Sequence, residues 1–319
     1  MSFIHDFGAM LGRPPHRSKE RTDAAEIMHG RKRGRGLEVT QLLEELAAAP
    51  ANHKWRNRRW AVLIAINLCF TLSFWLDIQL FEGSLTASRV LGFHLADPYS
   101  GFLVVLAEKH VPVNLVIGSV TVFLMWGLLG GRGYCSWVCP YHLVAEWTEN
   151  LHLALVKRGI VQDHLLHRGI RSVLWVLFAL LALLTGQTLF LTLNPIGILS
   201  RALVYGPSLA LAWVLLLLLF EVVYSRRAWC RYVCPIGLTF GVLGAKAPLR
   251  VTYDLERCAH EGDCRKVCEV PHVLELTIKG RATDAQLDVG PDCTRCGLCV
   301  DACPTQSLTY EVKGLSKLI

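Results

Sequence analysis

The feature that most constrains this chain is a run of four cysteines near its C-terminus, spaced C-x2-C-x2-C-x3-C and followed by proline. These residues are Cys293, Cys296, Cys299, Cys303 and Pro304. Three cysteines on such a tight loop bind three irons of a [4Fe–4S] cube, while the fourth reaches a neighbouring cluster. A zinc site needs only four thiolates and is the competing interpretation. The Cys-Pro ending and a partner motif upstream favour iron–sulfur ligation, so we expect one [4Fe–4S] cluster.

The partner motif lacks one ligand position. Cys258, Cys264 and Cys268 fall on its first, third and fourth positions, and Glu261 occupies the second. In two-cluster ferredoxins the fourth cysteine of each motif ligates the other cluster. We therefore expect Cys268 to complete the ligand set of the C-terminal motif. Cys303 then joins Cys258 and Cys264, which leaves one iron of the second cluster without a thiolate.

The incomplete set leaves three outcomes open for the second site. It can hold a [3Fe–4S] centre, a [4Fe–4S] centre with an oxygen or nitrogen ligand, or no cluster. Candidates to replace the missing thiolate are Glu261, Asp263 and His260. Because three cysteines persist in the set, we expect a cluster here, with a reduction potential altered by the changed ligation.

Long apolar stretches predict a membrane part. Apolar residues make up 52% of the 319 residues and charged residues 18%, which excludes an intrinsically disordered chain. A bilayer core is crossed by a helix of roughly 20 apolar residues. Four stretches approach that length, at about residues 60–76, 111–129, 173–193 and 203–224. We therefore predict four transmembrane helices.

The distribution of Lys and Arg predicts the orientation of these spans. Basic residues cluster before the first span, between the second and third, and after the fourth. By the positive-inside rule, both chain termini then face the cytoplasm. The first 59 residues are polar and basic, so we expect no cleavable signal peptide. The prediction is a multi-pass protein of the bacterial cytoplasmic (inner) membrane, with a formal net charge of +7 and no nucleic-acid partner.

We divide the chain into three parts. Residues 1–53 form a basic polar cytoplasmic extension, residues 54–246 a four-helix membrane domain, and residues 247–319 a ferredoxin-like iron–sulfur domain. The predicted fold class is an α-helical membrane protein with four transmembrane helices in two parallel repeats, plus a small α+β cytoplasmic domain like a bacterial ferredoxin. Thiols on the cytoplasmic side stay reduced, which favours metal ligation over disulfides.

A short motif occurs twice and indicates an internal repeat. Both copies read aromatic, Cys, any residue, aromatic, Val, Cys, Pro, and they contain the pairs Cys135/Cys139 and Cys230/Cys234. Brought together, the four thiols could hold an iron–sulfur centre or another soft metal, or exchange electrons as two dithiol couples. They could also be reduced structural cysteines. Because the spacing is duplicated, we expect ligation or redox chemistry.

These motifs together resemble the membrane ferredoxins of the NapH type, which are associated with periplasmic nitrate reduction, and a related methylamine-utilisation ferredoxin, MauN. The resemblance extends from about residue 55 onward. It rests on the cysteine motifs above together with Asp97-Pro98, Asn194-Pro195, His110-Val-Pro112, the stretch 241–246, and Cys268 with the stretch 271–274. It implies an electron carrier that takes electrons from quinol and passes them on through iron–sulfur centres.

The predicted function is therefore membrane-bound iron–sulfur electron transfer between the quinone pool and another ferredoxin-type or cytochrome redox protein, as a quinol dehydrogenase-type component. Quinone exchange needs a proton acceptor, and the candidates are His110, Glu108, His142 and Glu146. An alternative is an assembly factor that supplies electrons for maturing a metalloenzyme or a protein-derived cofactor. A metal-binding transport protein ranks last, because the apolar stretches carry almost no charge of the kind that transport paths show.

Overall fold

The computed structural model describes residues 8, 11–12, 21–34, 53–77, 81–90 and 92–313. Within these ranges the protein is mainly helical, with two three-stranded antiparallel sheets. The predicted extension of residues 1–53 lies largely outside the described residues. Its described part includes helix α1, Asp23–Gly34.

A long helix and a small sheet follow α1. The helix and strands are α2 Lys54–Trp75, β1 Phe81–Ser84, β2 Ala87–Val90 and β3 Phe93–Ala96. The strands pair in the order β1-β2-β3, with Phe81 opposite Val90 and Ala87 opposite Ala96. This sheet packs against α2 and against the helix Val113–Leu129, and so forms one wall of the helical part.

The helical part continues with two groups of helices. The first group is α3 Pro98–Glu108, α4 Val113–Leu129, α5 Gly133–Trp137 and α6 Pro140–Lys157. The second group is α7 Ile170–Thr185, α8 Leu189–Leu193, α9 Pro195–Tyr205, α10 Leu211–Val223, a π-helical turn Trp229–Val233 and α11 Pro235–Leu243. One apolar core, which includes Tyr99, Tyr141, Phe190 and Phe240, joins both groups.

The prediction of four transmembrane helices is wrong for this structure. Within the described ranges, no helix is both long enough and apolar enough to cross a bilayer. The apolar stretches are cut by helix ends: α7 stops at Thr185 before Gly186, which has a left-handed backbone, and α9 stops at Tyr205, so that α10 has only 13 residues. The long helix α2 carries basic residues in its first turns, and α4 has 17 residues.

The duplicated motif lies in two segments with the same order of elements. In each, a helix capped by Asp97 or Asn194 and started by proline is followed by an apolar helix, a short turn and another helix started by proline. Cys139 and Cys234 cap the last helix of each segment with nearly equal backbone angles, φ −67° and ψ 117° against φ −64° and ψ 107°. The two copies of the motif therefore share their local backbone structure as well as their sequence pattern.

The C-terminal part is built around a second sheet. Its elements are β4 Leu249–Asp254, α12 Asp263–Lys266, a 3-10 helix Pro271–Thr277, β5 Gln286–Asp288, α13 Leu298–Asp301 and β6 Leu308–Val312. The strands pair in the order β5-β4-β6. Ala25 of α1 is fully buried in this core, and the His29 Nε2 atom lies 3.0 Å from the carbonyl oxygen of Ala282. The described part of the extension therefore packs on the cysteine-rich part.

Candidate iron–sulfur site

Four cysteines from the two motifs line one cavity. Cys268 comes from the upstream motif and meets Cys293, Cys296 and Cys299 of the C-terminal motif, and all four are buried and free of disulfides. We refer to this group as the first cysteine site. It is the set that the crossed ligation pattern predicts, and four thiolates around one closed space suit a [4Fe–4S] cluster.

Two residues in the loop of the first cysteine site have left-handed backbones. Arg295 has φ 53° and Gly297 has φ 80°. A Cβ atom on Gly297 would lie 2.6 Å from the Cβ of Trp55 and 3.1 Å from the hydroxyl of Tyr310. Glycine is therefore required both by the backbone conformation and by the close approach of α2.

Burial raises the pKa values of the thiols in the first cysteine site. It raises the pKa of Cys296 to about 12 and the pKa values of Cys268 and Cys299 well above the usual range for a thiol. Such thiols remain protonated at neutral pH unless a positive centre compensates the loss of hydration. An iron–sulfur cluster supplies that charge, and its Cys ligands bind as thiolates.

A second group of cysteines lies closer to the surface. Cys258, Cys264 and Cys303 are half-buried and line another cavity, and we call them the second cysteine site. The Cys303 sulfur lies 3.1 Å from the Ser307 hydroxyl and accepts a hydrogen bond from the Ser307 amide at 3.2 Å. The structure thus brings together the three cysteines that the sequence assigns to the incomplete cluster.

The three candidates for the missing ligand lie near the second cysteine site in different ways. His260 and Glu261 are half-buried, Asp263 is exposed, and all three line the cavity. His260 has a left-handed backbone, and its Nδ1 atom lies 2.9 Å from the carbonyl oxygen of Thr277. Although burial acts to raise it, hydrogen bonds from His260 and Tyr253 lower the pKa of the Cys258 thiol to about 7.

A buried ion cluster adjoins the first cysteine site on the Asp292 side. The Oδ1 atom of Asp292 lies 2.7 Å from Arg132 Nη1 and 3.0 Å from Arg171 Nη2, while its Oδ2 atom lies 3.0 Å from His272 Nε2. Although burial acts to raise it, the two arginines hold the pKa of Asp292 well below its usual range. Because Asp292 directly precedes Cys293, this cluster ties the cysteine loop to the helical part.

A matching ion cluster surrounds Glu269, which directly follows the cysteine of the upstream motif. Its Oε1 atom lies 2.8 Å from His142 Nε2 and 3.3 Å from both Arg59 Nη1 and Arg227 Nη2. Arg59 also binds Glu146 at 2.5 Å. Although burial acts to raise it, these cationic neighbours hold the pKa of Glu269 well below its usual range.

The two loops of the repeated motif also contact the cysteine-rich part directly. In the first loop the Ser136 hydroxyl donates to the carbonyl oxygen of Thr294 at 2.6 Å, and the Trp137 indole donates to that of Arg295 at 2.9 Å. In the second loop Arg231 Nε donates to the carbonyl oxygen of Glu269 at 2.9 Å. The loop of each copy therefore donates hydrogen bonds to the backbone of one of the two ligand motifs.

Sequence reasoning missed the arginines of these clusters, although a signal was present. Arg132 and Arg227 each lie three residues before the first cysteine of their repeat, so the duplicated motif is longer than the cysteine pattern. The structure places the predicted proton acceptors His142 and Glu146 inside the Glu269 cluster. The other two candidates, Glu108 and His110, are exposed at the end of α3 and just beyond it.

Two thiols of the repeat lie at helix starts, and the other two lie in the short turns before them. Cys139 and Cys234 cap α6 and α11 and are buried, while Cys135 and Cys230 lie in the preceding turns. Burial, followed by repulsion from Cys135, raises the pKa of Cys234 to about 12. A Cβ on Gly237 of α11 would lie 3.5 Å from Nη2 of Arg132, so the two copies of the motif are close in space.

A large apolar cavity adjoins the first cysteine site. It has a volume of about 660 Å³ and is lined by α2, the first sheet, α4 and α5. Helix α4 starts beside β3, since a Cβ on Gly118 would lie 2.8 Å from the carbonyl oxygen of His94, and it ends where Arg295 binds Gly130. The cavity therefore extends along α4 from Asp97 at the sheet to Arg295 at the cysteine loop.

The fold and the two cysteine sites define a ferredoxin-type iron–sulfur protein, and comparison with known proteins agrees. A family model described as a 4Fe-4S binding domain matches residues 111–159, and one described as a 4Fe-4S dicluster domain matches residues 225–312. The chain belongs to the family of the NapH and MauN ferredoxin-type proteins, as its motifs predicted.

Two relatives illustrate the extent of the similarity. The ferredoxin-type protein NapH of Escherichia coli (strain K12) is 31% identical over 270 residues, which cover 82% of this chain and 92% of NapH. The methylamine utilization ferredoxin-type protein MauN of Methylorubrum extorquens is 33% identical over 270 residues, which cover 83% of this chain and 91% of MauN. No solved structure gives a significant match.

Proposed function

We propose that this protein exchanges electrons between a quinone and a redox partner protein through two iron–sulfur clusters, as a quinol dehydrogenase-type component. The observation that carries this proposal is the position of Arg295. This residue lies between Cys293 and Cys296 and lines both the first cysteine site and the 660 Å³ apolar cavity. A cavity of this size, apolar with few polar groups, has the character of a small-molecule site.

The first cluster is a [4Fe–4S] centre with Cys268, Cys293, Cys296 and Cys299 as ligands. Burial of all four thiols and their origin in two motifs support this assignment. The second cluster, held by Cys258, Cys264 and Cys303 with an oxygen or nitrogen ligand in place of the fourth thiolate, lies nearer the surface. It is the exchange point for a second ferredoxin-type or cytochrome protein.

The four thiols of the repeat hold a further iron–sulfur or metal centre. Their raised pKa values disfavour dithiol exchange, because the attacking species is the thiolate. A bound metal would instead keep them deprotonated. Support also comes from the family model described as a 4Fe-4S binding domain, since its matched residues 111–159 contain Cys135 and Cys139 as their only cysteines.

The exposed apolar faces of α2, α4, α7 and α10 contact lipid at the bacterial inner membrane. Large apolar side chains are exposed on all four helices, among them Trp75 at 71%, Leu128 at 64%, Leu184 at 79% and Leu215 at 66%. The formal net charge of +7 favours anionic headgroups. Flotation with phosphatidylglycerol vesicles tests this contact, and protein that stays with the dense fraction would contradict it.

The quinone step is tested by filling the cavity. Met125 of α4 lines it, whereas its neighbour Leu124 is 59% exposed and lies outside the lining. With Met125→Trp we expect reduction of the clusters by a short-chain quinol to slow at least about tenfold, about 1.4 kcal/mol, while dithionite still reduces them. Leu124→Trp is the matched control. Wild-type clusters that stay oxidised with every quinol tried would contradict quinone exchange and favour an electron supply for cofactor maturation.

A further inference from the structure

We propose that the carboxylate of Asp97 accepts the protons of a quinol bound in the apolar cavity. This inference rests on the quinone exchange proposed above. Asp97 is 4% exposed and lines the cavity at its sheet end. Its Oδ2 atom accepts hydrogen bonds from the Ser100 amide at 2.8 Å and the Ser100 hydroxyl at 2.7 Å. Its Oδ1 atom is buried and has no hydrogen-bond partner among the described residues.

The other copy of the repeat shows that capping does not require a carboxylate. Asn194 occupies the position equivalent to Asp97, is 1% exposed, and caps α9 by accepting a hydrogen bond from the Ile196 amide at 3.1 Å. Asn and Asp cap helices about equally well. A buried carboxylate carries a larger desolvation cost than an amide, so the acid at position 97 indicates a role beyond the helix cap.

The surroundings keep the carboxyl group able to titrate. Burial raises the pKa of Asp97 to about 6, with the Ser100 hydrogen bonds acting against it. Burial, and repulsion from Asp97, also raise the pKa values of Tyr99 of α3 and Tyr134 of α5, which are therefore neutral at pH 7. Cys234 at the start of α11, proposed above as a metal ligand, also interacts electrostatically with Asp97. Helix α4 carries no titratable residue, and the titratable side chains of the first sheet are Glu82, Arg89 and His94.

Oxidation of the quinol transfers its two protons to Asp97 one at a time. An O–H bond of the quinol breaks and an O–H bond forms at the Asp97 carboxylate, while one electron passes to an oxidised iron–sulfur cluster. The carboxyl group releases this proton to water and then accepts the second one as the second electron leaves. The products are a quinone, two reduced centres and two protons. General base catalysis of this kind contributes about 10²–10⁴-fold to a rate.

The test compares Asp97→Asn with Asn194→Asp, using anaerobic protein with intact clusters and a short-chain quinol. We expect Asp97→Asn to slow cluster reduction at least about 100-fold, with its melting temperature, quinone binding by Trp fluorescence and reduction by dithionite unchanged. The wild-type rate should rise with pH through about 6 and level off above it. Asn194→Asp should keep both the rate and its pH profile.

A second variant tests the assignment without removing the acid. Ser100→Ala deletes the hydroxyl donor to Oδ2, so the midpoint of the pH profile should move upward. A wild-type rate in Asp97→Asn, or an unmoved midpoint in Ser100→Ala, would overturn the role of Asp97 while leaving quinone exchange intact. Loss of quinone binding in Asp97→Asn would also overturn it in favour of a structural role. Failure of quinone exchange itself appears as wild-type clusters that no quinol reduces.

Discussion

Arg132 and Asp292 form a buried ion pair, with 2.7 Å between Nη1 and Oδ1, that joins the start of the first repeated motif to the loop of the first cysteine site. Arg227, the equivalent residue of the second motif, lies 3.3 Å from Glu269, beside the cysteine of the other ligand motif. Each copy of the repeated motif therefore contributes one arginine to a carboxylate, and the two carboxylates lie next to cysteines of the first cysteine site. The cysteine-rich part is held to the helical part by both copies of the motif.

Removing one side of this pair should destabilise the protein. Arg132→Ala leaves the Asp292 carboxylate buried with fewer cationic partners, and breaking a buried pair on one side costs about 3–5 kcal/mol. We expect a lower midpoint of unfolding in urea, measured through the absorbance of the first cluster. Arg201→Ala, at an exposed arginine, is the control and should leave the midpoint unchanged. Equal midpoints for the two variants would argue against a structural role for the pair.

The crossed ligand sets predict which cluster each variant affects. Cys268→Ser should abolish the spectrum of the cluster at the first cysteine site, and Cys303→Ser that of the cluster at the second, because each removes a ligand of the other motif's cluster. EPR of the reduced protein, with iron and sulfide counts, separates the two. Cys69→Ser, at an exposed cysteine of α2, should change neither. Loss of the first cluster in Cys303→Ser would refute the assignment of each motif's fourth cysteine to the other motif's cluster.

Restoring the missing cysteine should complete the second cluster. Glu261 occupies the vacant ligand position and lines the second cysteine site. In Glu261→Cys we expect a second [4Fe–4S] cluster with four thiolate ligands, a shifted reduction potential and, if the parent centre has three irons, about one more iron per chain. Asp263→Cys, two residues further on, is the control. An unchanged potential and iron count in Glu261→Cys would exclude ligation from this position.

The glycine of the first loop should not tolerate a side chain. In Gly297→Ala the added Cβ would meet the Cβ of Trp55 at 2.6 Å, and alanine is strained at φ 80°. We expect the free energy of unfolding to fall by about 1–3 kcal/mol. We also expect a chelator to bleach the first cluster faster. Gly290→Ala, where no described residue lies within 4 Å of the added atom, should behave as wild type. Equal bleaching rates would contradict the packing of α2 on this loop.

The iron–sulfur character and the family were correctly predicted because their signals are local. Cys293, Cys296 and Cys299 lie within seven consecutive residues, and a loop that short determines which atoms can share a cluster. The assignment of Cys268 to the same group needed only the known crossing of two motifs, and the structure does bring the four side chains to one cavity. The ligand roles, the cluster types and the domain boundaries stay predictions.

The membrane topology was wrong because apolar content alone does not say where a helix ends. The stretch 173–193 reads as one span, yet the left-handed residue Gly186 separates α7 from α8 within it. The stretch 203–224 begins in α9 and continues in α10 after a break that includes Gly206, which has φ 98°. Glycines that adopt positive φ end helices without changing the mean hydropathy of the stretch.

By itself the sequence determined the two cysteine motifs, the deficit at Glu261 and the duplicated C-x3-C-P pattern, all of which depend on neighbours a few residues apart. Only the tertiary structure decided that Arg132 meets Asp292 and that Asp97 and Arg295 line one cavity. These pairs are separated by about 160 to 200 residues. Contacts at that separation depend on how the helices pack around a common core, and no local spacing encodes them.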